Sequence, residues 1–596
     1  MDGLLKAVEN MEEVGGEFSF KKYFVHLTTR KAVIWIIIVG LIVHFNTLLN
    51  GFVWDDFGLI FRNPDILSFN LLQAFSHNHV SNGGFYRPIH TLYFSFLYLL
   101  FHNISFFYHF IQLTIHIVDS CLLFIFLKKF FGERISFILA LLFLVHPINV
   151  ESTAFISATT TPISTFFGLS ALILIQRKVI TKTTLIAISL LFLLSILSKE
   201  EGILFMIMAL FYCFFYKKSY FLKVFPCVLI SLIIYSLLRF TIGGAFIPPQ
   251  VGYSSAVDAQ FLPIQDATLP ERLLTMPQII LYYTQTFFYP ADLSVNQLWI
   301  TSQINFGAFY FPLFVVLTFF IIVLLFSFYL RTKHKELLAH YYFFLFWFVL
   351  GLGMHLQIIP LEMTVADRWA YFFIIGLLGM IGVSIKVASL SKRSKTLLVV
   401  AIITILVLLS ARTIMRNSNW VNDITLFAHD STVKDNYAIE LNLGSDYMQA
   451  HDIRALKHLQ ESVRLHPYAI NLYNLGVANE ALGNIKEAEK LYLEAYSIHS
   501  PSYHTTQHVL PIYERLAYIL LLKEKSIQAA SVAKTGLTYY PNSSNLWFFL
   551  AASEYRQHHQ QNALQAIKKA KTLHPSQEYD TLESIIINKQ PLTSIP

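Results

Sequence analysis

The chain has 596 residues, of which 55% are hydrophobic and only 14% are charged, and its mean hydropathy is +0.53. Because a soluble chain carries about a quarter charged residues, this composition excludes a wholly soluble protein. The formal net charge of +7 is spread over the flanks of apolar stretches and does not indicate a nucleic-acid partner. The three cysteines all lie in apolar stretches, so the sequence predicts no disulfide framework.

Three segments of different composition follow one another along the chain. Residues 1–31 are polar, residues 32–415 are a series of apolar stretches, and residues 416–596 are polar again. No small-residue cleavage site follows the first apolar stretch, so we predict an uncleaved anchor. A helix needs about 20 apolar residues to cross a bilayer. The middle segment holds eleven candidate spans, at residues 33–49, 104–127, 135–149, 160–176, 182–198, 201–216, 220–241, 306–330, 338–359, 365–387 and 395–413.

The stretch 88–103 leaves the topology open, because it could span the membrane or lie flat at the interface as an amphipathic helix. If it lies flat and the N-terminus is cytoplasmic, twenty basic residues fall on cytoplasmic turns and eight fall outside. Positive charge favours the cytoplasmic side, so we predict eleven spans with residues 1–31 inside. The first loop, 50–103, and the domain 416–596 are then extracytoplasmic, and nearly all the acidic residues of the membrane domain face outside.

The last third of the chain repeats with a period near 34 residues. Both Ala517 to Ala551 and Pro541 to Pro575 span 34 residues. This pattern resembles the tetratricopeptide repeat, in which small residues let two helices pack closely and proline ends the second helix. An insertion of about seven residues separates the second unit from the third, and a closing helix is predicted after Pro575. We predict an all-α protein, a polytopic membrane domain followed by an α-solenoid, with units beginning near Asn442, Tyr473, Tyr513 and Leu546.

Two adjacent carboxylates, Asp55 and Asp56, follow the first span in the stretch GFVWDDFGLIFRNPDI. Such a pair could be a solvated stop signal at the interface. However, acidic and basic residues from several separate loops gather at the same face of the predicted membrane domain. Ionisable residues that converge at one depth of a membrane protein are typical of a functional site.

The chain resembles GT-C fold glycosyltransferases, most closely the transmembrane O-mannosyltransferases that carry tetratricopeptide repeats. The matching stretches are FVWDDFGLIFRNPDI, FYRPIHTLYF, HPINVESTAFIS, SKEEG and ADRWAY, together with the repeats. The order and spacing of these stretches match the family, and together they span most of the chain. Two stretches depart from the pattern. HPINVESTAFISATTTPIS lacks charged residues often present there in relatives, and KDNYAIELNLG lacks the usual proline.

The resemblance implies an enzyme that moves a sugar, mannose by analogy, from a polyprenyl-phosphate or dolichyl-phosphate donor to Ser/Thr hydroxyls of protein acceptors. It implies inversion at the sugar, with Asp55 as general base and Asp56 as its orienting neighbour. The repeats would recruit the acceptor. No DxD triplet is present, so nothing supports a metal, although a divalent metal stays open. The residues expected to bind the donor phosphate or substrate are Arg87, His146, Glu151, Lys199, Glu200 and Arg368.

Each of these residues also has a structural interpretation. Arg368 could pair with Asp367, Lys199 could pair with Glu200 or Glu201, and Glu151 could be a solvated loop residue. Arg87 could anchor its helix to headgroups, and His146 could be a polar group at a helix end. His116 and Asp119, one turn apart in the second span, are predicted to pair within the membrane domain.

Two other classes of protein remain open at this stage. One is a polymerase or ligase for lipid-linked glycans, which would place its basic residues on a large late loop. Residues 242–305 form such a loop but are poor in arginine. The other is a non-catalytic membrane scaffold or transporter, although the chain shows no duplicated halves of the kind common in transporters. The predicted location is a bacterial inner membrane, or the endoplasmic reticulum of a eukaryote.

Overall fold

The computed structural model describes residues 27–76, 85–242, 262–295, 297–389, 391–498 and 509–592. Within these residues the chain is helical, and its one strand-like pairing is an isolated antiparallel bridge between Gln297 and Val365. The predicted all-α class is therefore confirmed. Packing divides the helices into two units, one ending at Leu426 and the other beginning at Phe427, with residues 262–267 grouped with the second.

The described residues up to 433 form helices α1 to α17. In chain order they are α1 (Thr29–Val43), α2 (Pro64–Leu67), α3 (Leu71–Ser76), α4 (Pro88–Phe101), α5 (Ser105–Val145), α6 (Val150–Ala154), α7 (Thr160–Ile175), α8 (Lys182–Ser198), α9 (Gly202–Tyr216), α10 (Lys218–Leu237), α11 (Pro263–Asp266), α12 (Leu269–Phe288), α13 (Phe311–Lys333), α14 (Lys335–Met354), α15 (Ala370–Val387), α16 (Lys392–Asn419) and α17 (Asp423–Val433). Short 3₁₀ turns lie at Phe45–Leu49, Pro147–Asn149, Ile156–Thr159 and Asp367–Trp369, and π turns at Phe57–Phe61, Leu238–Ile242 and Phe306–Tyr310.

Seven helical segments among the described residues are long and apolar enough to cross a membrane. They account for eight of the predicted spans, because α5 contains two, separated at Gly132 with a left-handed φ of 74°. The shorter apolar helices α8 and α9 match two more spans, and the 15-residue α1 matches the first. The helices thus follow all eleven predicted spans, while their orientation in a membrane stays a prediction. The ambiguous stretch 88–103 forms the shorter apolar helix α4.

The helix pair α14 and α15 carries one wall of the candidate site on its connection. Trp347 of α14 is fully buried and donates its indole N–H to the Phe372 carbonyl of α15 at 2.9 Å. The α12 helix, which packs nearby through Tyr283, begins at a capping box formed by Thr268 and Glu271. Capping of this kind satisfies the first backbone N–H groups of a helix. These contacts fix where the turn Asp367–Trp369 lies.

The second unit is a stack of helix pairs, as predicted. Its helices are α18 (Tyr437–Gln449), α19 (Arg454–Leu465), α20 (Ala469–Ala481), α21 (Ile485–Ile498), α22 (Leu510–Leu522), α23 (Ser526–Tyr539), α24 (Ser544–Arg556), α25 (Gln560–Leu573) and the closing α26 (Gln577–Ile587). A Cβ on Gly476 would lie 2.5 Å from the Tyr492 ring, which confirms that a small residue allows the close approach. Each pair begins two to five residues before the predicted start, because the motif residues lie inside the first helix. The predicted insertion lies mostly outside the described residues.

Candidate active site

The acidic pair lies directly after a strained backbone turn. Trp54 occupies the left-handed region with φ of 52°, which costs a residue other than glycine about 1–3 kcal/mol. Two contacts hold it there. Its N–H donates to the Asp423 carboxylate at 2.6 Å, and its ring stacks on Phe155 with 5.3 Å between centroids. The direction of the chain at Asp55 is therefore set by packing rather than by local preference.

Asp56 is the buried member of the pair. One carboxylate oxygen accepts a hydrogen bond from the Val53 N–H at 3.0 Å. The other accepts from both the N–H of Ser157, at 2.8 Å, and its hydroxyl, at 2.5 Å. Burial raises the pKa of Asp56 to about 7, although the hydrogen bonds from Ser157 and Val53 oppose the rise. Asp56 therefore connects its own loop, through Val53, to the turn Ile156–Thr159, through Ser157.

Asp55 is the member that reaches solvent. Protein surrounds its carboxylate closely enough that desolvation raises its pKa to about 6. The negative charge of Glu362 adds to the rise, and the positive charge of Arg368 opposes it. A carboxylate that titrates near 6 is mostly ionised at neutral pH and is a stronger base than an ordinary aspartate. Neighbouring residues of a chain point in different directions, so one carboxylate can face a substrate while the other holds the loop.

Arg368 joins two separate segments next to Asp55. Its guanidinium forms an ion pair with the buried Glu151, and its backbone N–H donates to the same carboxylate at 2.9 Å. A second guanidinium nitrogen donates to Glu362 at 2.9 Å. The neighbouring Asp367 accepts a hydrogen bond from the Tyr282 hydroxyl at 2.5 Å. Arg368 thus joins the turn that precedes α15 to α6 and to Glu362.

Lys199 belongs to a second buried ion pair. Its ammonium lies 2.5 Å from Glu201 and donates to the Thr161 hydroxyl at 2.8 Å. The other oxygen of Glu201 lies 3.2 Å from His355, whose ring stacks on Trp369 with 5.0 Å between centroids. Burial lowers the pKa of Lys199, and the charge of Glu201 works against this. Of the two partners considered from the sequence, the structure places Glu201 against this lysine.

Arg87 and Glu200 form a third group, together with Arg239. Arg87 donates to one Glu200 oxygen through two nitrogens, at 2.9 and 2.8 Å. Arg239 approaches the other oxygen at 3.6 Å. The three side chains are partly open, between 17% and 26% exposed, and together they carry one net positive charge. Arginines in this arrangement offer planar N–H groups to a phosphate.

His146 has a different role from the other predicted residues. One ring nitrogen lies 2.9 Å from the Phe287 carbonyl, and the other accepts from the Ile148 N–H at 3.2 Å. A ring nitrogen that accepts a hydrogen bond carries no proton, so these contacts require a neutral imidazole. In this arrangement both nitrogens hold the end of α5.

The structure therefore brings most of the predicted residues together. The charges of Arg87 and Arg368 both act on Lys199, so the three cations lie within electrostatic range of one another. Sequence reasoning did not assign a role to several residues that complete the cluster. Glu201 was considered only as a possible partner of Lys199, and Ser157 ends the matching stretch HPINVESTAFIS. No pattern indicated the others, which are Thr161, Arg239, Tyr282, His355 and Glu362.

No metal centre is evident in the part of the chain that the structure describes. In those residues no group of three or more His, Cys, Asp and Glu side chains is arranged to hold an ion. The site is a set of carboxylates and cations, and the carboxylate of Asp55 is open to solvent. It can supply a base and cationic contacts to an anion.

The raised pKa values of the acidic pair predict how activity depends on pH. A general base works only when it has lost its proton, so the rate should fall as pH drops through the pKa of the pair. We expect kcat/KM to rise with pH, with an acid limb between about 6 and 7, and to level off above it. A pH–rate profile with the protein in lipid or detergent measures this limb. A limb near the ordinary aspartate value of about 4 would contradict the assignment.

The fold and the site define a class, namely a multi-pass helical membrane protein with a charged candidate active site and a tetratricopeptide-like repeat unit. No family model matches the chain. The chain is similar to proteins named protein O-mannosyl-transferases, which confirms the resemblance drawn from the motifs. Human protein O-mannosyl-transferase TMTC3 is 24% identical over 505 residues, which cover 78% of this chain and 54% of the human protein.

Two further relatives match shorter parts of the chain. Protein O-mannosyl-transferase F38B6.6 of Caenorhabditis elegans is 31% identical over 183 residues, or 28% of this chain and 26% of the worm protein. Mouse protein O-mannosyl-transferase TMTC1 is 29% identical over 166 residues, or 26% of this chain and 17% of the mouse protein. The chain spans about half the length of the human relative and smaller fractions of the other two.

Proposed function

We propose that this chain is a protein O-mannosyltransferase that moves a sugar from a polyprenyl-phosphate donor to Ser or Thr hydroxyls. The observation that carries the proposal is the solvent-open carboxylate of Asp55. It lies within electrostatic range of the Arg368 guanidinium, in a helical membrane unit that is similar to proteins named for this activity. The site is extracytoplasmic in the predicted topology, so donor headgroup and acceptor meet at the outer surface.

The proposed reaction uses one proton transfer and one displacement. Asp55 takes the proton of the acceptor hydroxyl as its oxygen forms a bond to the anomeric carbon of the sugar. The bond from that carbon to the donor phosphate oxygen breaks, and the electron pair leaves with the phosphate. Attack from the opposite face inverts the configuration. General-base help of this kind contributes on the order of 10²–10⁴-fold to the rate. Asp56 keeps the loop in place through Ser157.

The leaving phosphate gathers negative charge and needs cations nearby. Arg87 and Arg239 suit this role, since the two arginines share the single carboxylate of Glu200. Lys199 lies within electrostatic range of Arg87, and its ammonium is paired with Glu201 at 2.5 Å. We assign the donor phosphate to this side of the site and the acceptor hydroxyl to the side of Asp55.

A reconstituted assay tests the proposed function. The purified full chain in lipid is given a polyprenyl-phosphate mannose and a Ser/Thr-rich peptide, and the peptide is analysed by mass spectrometry. We expect hexose to appear on hydroxyl side chains and to depend on the phosphate-linked donor. Matched reactions with a sugar nucleotide as donor serve as the control. Transfer from the sugar nucleotide alone, or transfer to a lipid-linked glycan rather than the peptide, would contradict the proposal.

We further propose that the repeat unit recruits the acceptor and takes no part in the chemical step. Deleting residues 436–596 should lower the use of protein acceptors at least several-fold more than the use of a short Ser/Thr peptide. The reason is that a peptide small enough to enter the site directly has no need of a second binding surface. The measurement compares kcat/KM for both acceptors in the two proteins. Equal losses for both acceptors, with the membrane unit still folded, would rule recruitment out.

A further inference from the structure

The end of α5 is held by side chains rather than by backbone hydrogen bonds. Pro147 has no N–H, and the Ile148 N–H is used by His146, so the last carbonyls of the helix lack their usual partners. Side chains from other segments replace them. Phe143 accepts from Asn149 at 2.8 Å, Val145 accepts from Thr413 at 2.7 Å, and Leu144 is contacted by the rings of His44 at 3.0 Å and His116 at 3.1 Å.

His116 connects this helix end to α15. Its second ring nitrogen lies 2.8 Å from the Tyr371 hydroxyl, and that hydroxyl donates to Asp119 at 2.8 Å. The pairing of His116 with Asp119 predicted from the sequence is thus mediated by Tyr371. Three hydrogen bonds link the Leu144 carbonyl, His116, Tyr371 and Asp119 in series, and each of them needs one proton. The three side chains together hold three such protons when their net charge is zero. A neutral network suits a fully buried place, where an uncompensated charge is costly.

The network ends on the two segments that carry the ion pair of the candidate site. Leu144 lies seven residues before Glu151, and Tyr371 lies three residues after Arg368. We propose that Tyr371 and His116 are positioning residues for the candidate active site. His116 fixes the segment of Glu151, Tyr371 fixes the segment of Arg368, and the network sets the distance between the two. The inference rests on the proposed function, because Arg368 is the cation that acts on the base.

The variant Tyr371→Phe tests this role, since it removes the hydroxyl and keeps the ring. We expect kcat to fall by about 10- to 10²-fold, because small misplacements of catalytic groups have effects of this size, with KM for the donor nearly unchanged. The acid limb of the pH profile should also move to higher pH. The charge of Glu362 raises the pKa of Asp55 and the charge of Arg368 lowers it, so this pKa should rise when Arg368 is displaced.

Tyr341→Phe is the matched control. Tyr341 is also buried, and its hydroxyl donates to the Val323 carbonyl at 3.0 Å, away from the acidic pair. This variant should lose thermal stability without a shift of the acid limb. If Tyr371→Phe also lowers Tm without moving the limb or kcat, the hydroxyl is merely structural and the positioning role is refuted.

A second measurement needs no sugar transfer, so it separates this inference from the proposed function. Tm is measured for Tyr371→Phe, Arg368→Met and the double variant. Linked residues give non-additive losses. We expect the loss in the double variant to be clearly smaller than the sum of the single losses, and the same cycle with Tyr341→Phe to be additive. Additive losses in both cycles would overturn the inference, whether or not the chain transfers mannose.

Discussion

Replacing Asp55 with asparagine should lower turnover by at least about 10²-fold, because the amide keeps the size of the side chain but cannot accept a proton. Asp55 is open to solvent, and its charge acts on both Arg368 and Asp56. Donor binding and thermal stability should change little, since the structure uses Asp56 and not Asp55 to hold the loop. Turnover is measured with purified protein under saturating donor and acceptor.

Two companion variants make the result specific. Asp65→Asn removes a carboxylate from the same first loop and should leave turnover nearly unchanged. Asp56→Asn should reduce both stability and turnover, because its carboxylate accepts three hydrogen bonds. A folded Asp55→Asn protein with normal turnover would move the base to Asp56 or Glu151. Normal turnover in both Asp55→Asn and Asp56→Asn would refute the assignment of the acidic pair to the catalytic site.

Replacing Arg368 with methionine should destabilise the membrane unit by about 3–5 kcal/mol, because it leaves Glu151 buried without its charged partner. The side chain of Glu151 is only 2% exposed and that of Arg368 is 12% exposed. Activity should fall as well, since the positive charge of Arg368 favours ionisation of Asp55. Unfolding is followed by denaturant titration in a mild detergent.

The double variant Arg368→Met with Glu151→Leu separates stability from activity. Removing both charges eliminates the buried unpaired carboxylate, so most of the lost stability should return. Turnover should stay low. Recovery of full activity together with stability would show that the ion pair is purely structural.

The sequence predicts the helices well and the side-chain contacts poorly. Hydropathy is a property of local stretches, which is why every predicted span corresponds to a helix. The 34-residue period is likewise local, although it located the start of the first pair five residues late, at Asn442 instead of Tyr437. The repeat pattern also accounts for Gly476, because a small residue at that place lets the two helices of a pair pack closely.

The sequence located the candidate site but did not predict which of its side chains contact one another. The two adjacent carboxylates after the first span indicated this loop as a site. Because neighbouring side chains point in different directions, Asp55 reaches solvent while Asp56 is buried. The partner of Asp56, Ser157, lies 101 residues away, and the partner of Arg368, Glu151, lies 217 residues away. No local pattern reports such pairings, since the packing of whole helices determines them. The same limit explains why Tyr371 was not expected between His116 and Asp119.

The most direct test of the central claim compares glycopeptides from cells that carry the wild-type chain, no chain, or the Asp55→Asn chain at equal abundance. We expect hexose on Ser or Thr residues of extracytoplasmic proteins in the wild-type cells, and its loss from the same sites in both other strains. If the same sites stay modified when the chain is absent, or when Asp55 is replaced, the chain is not the mannosyltransferase that this site describes.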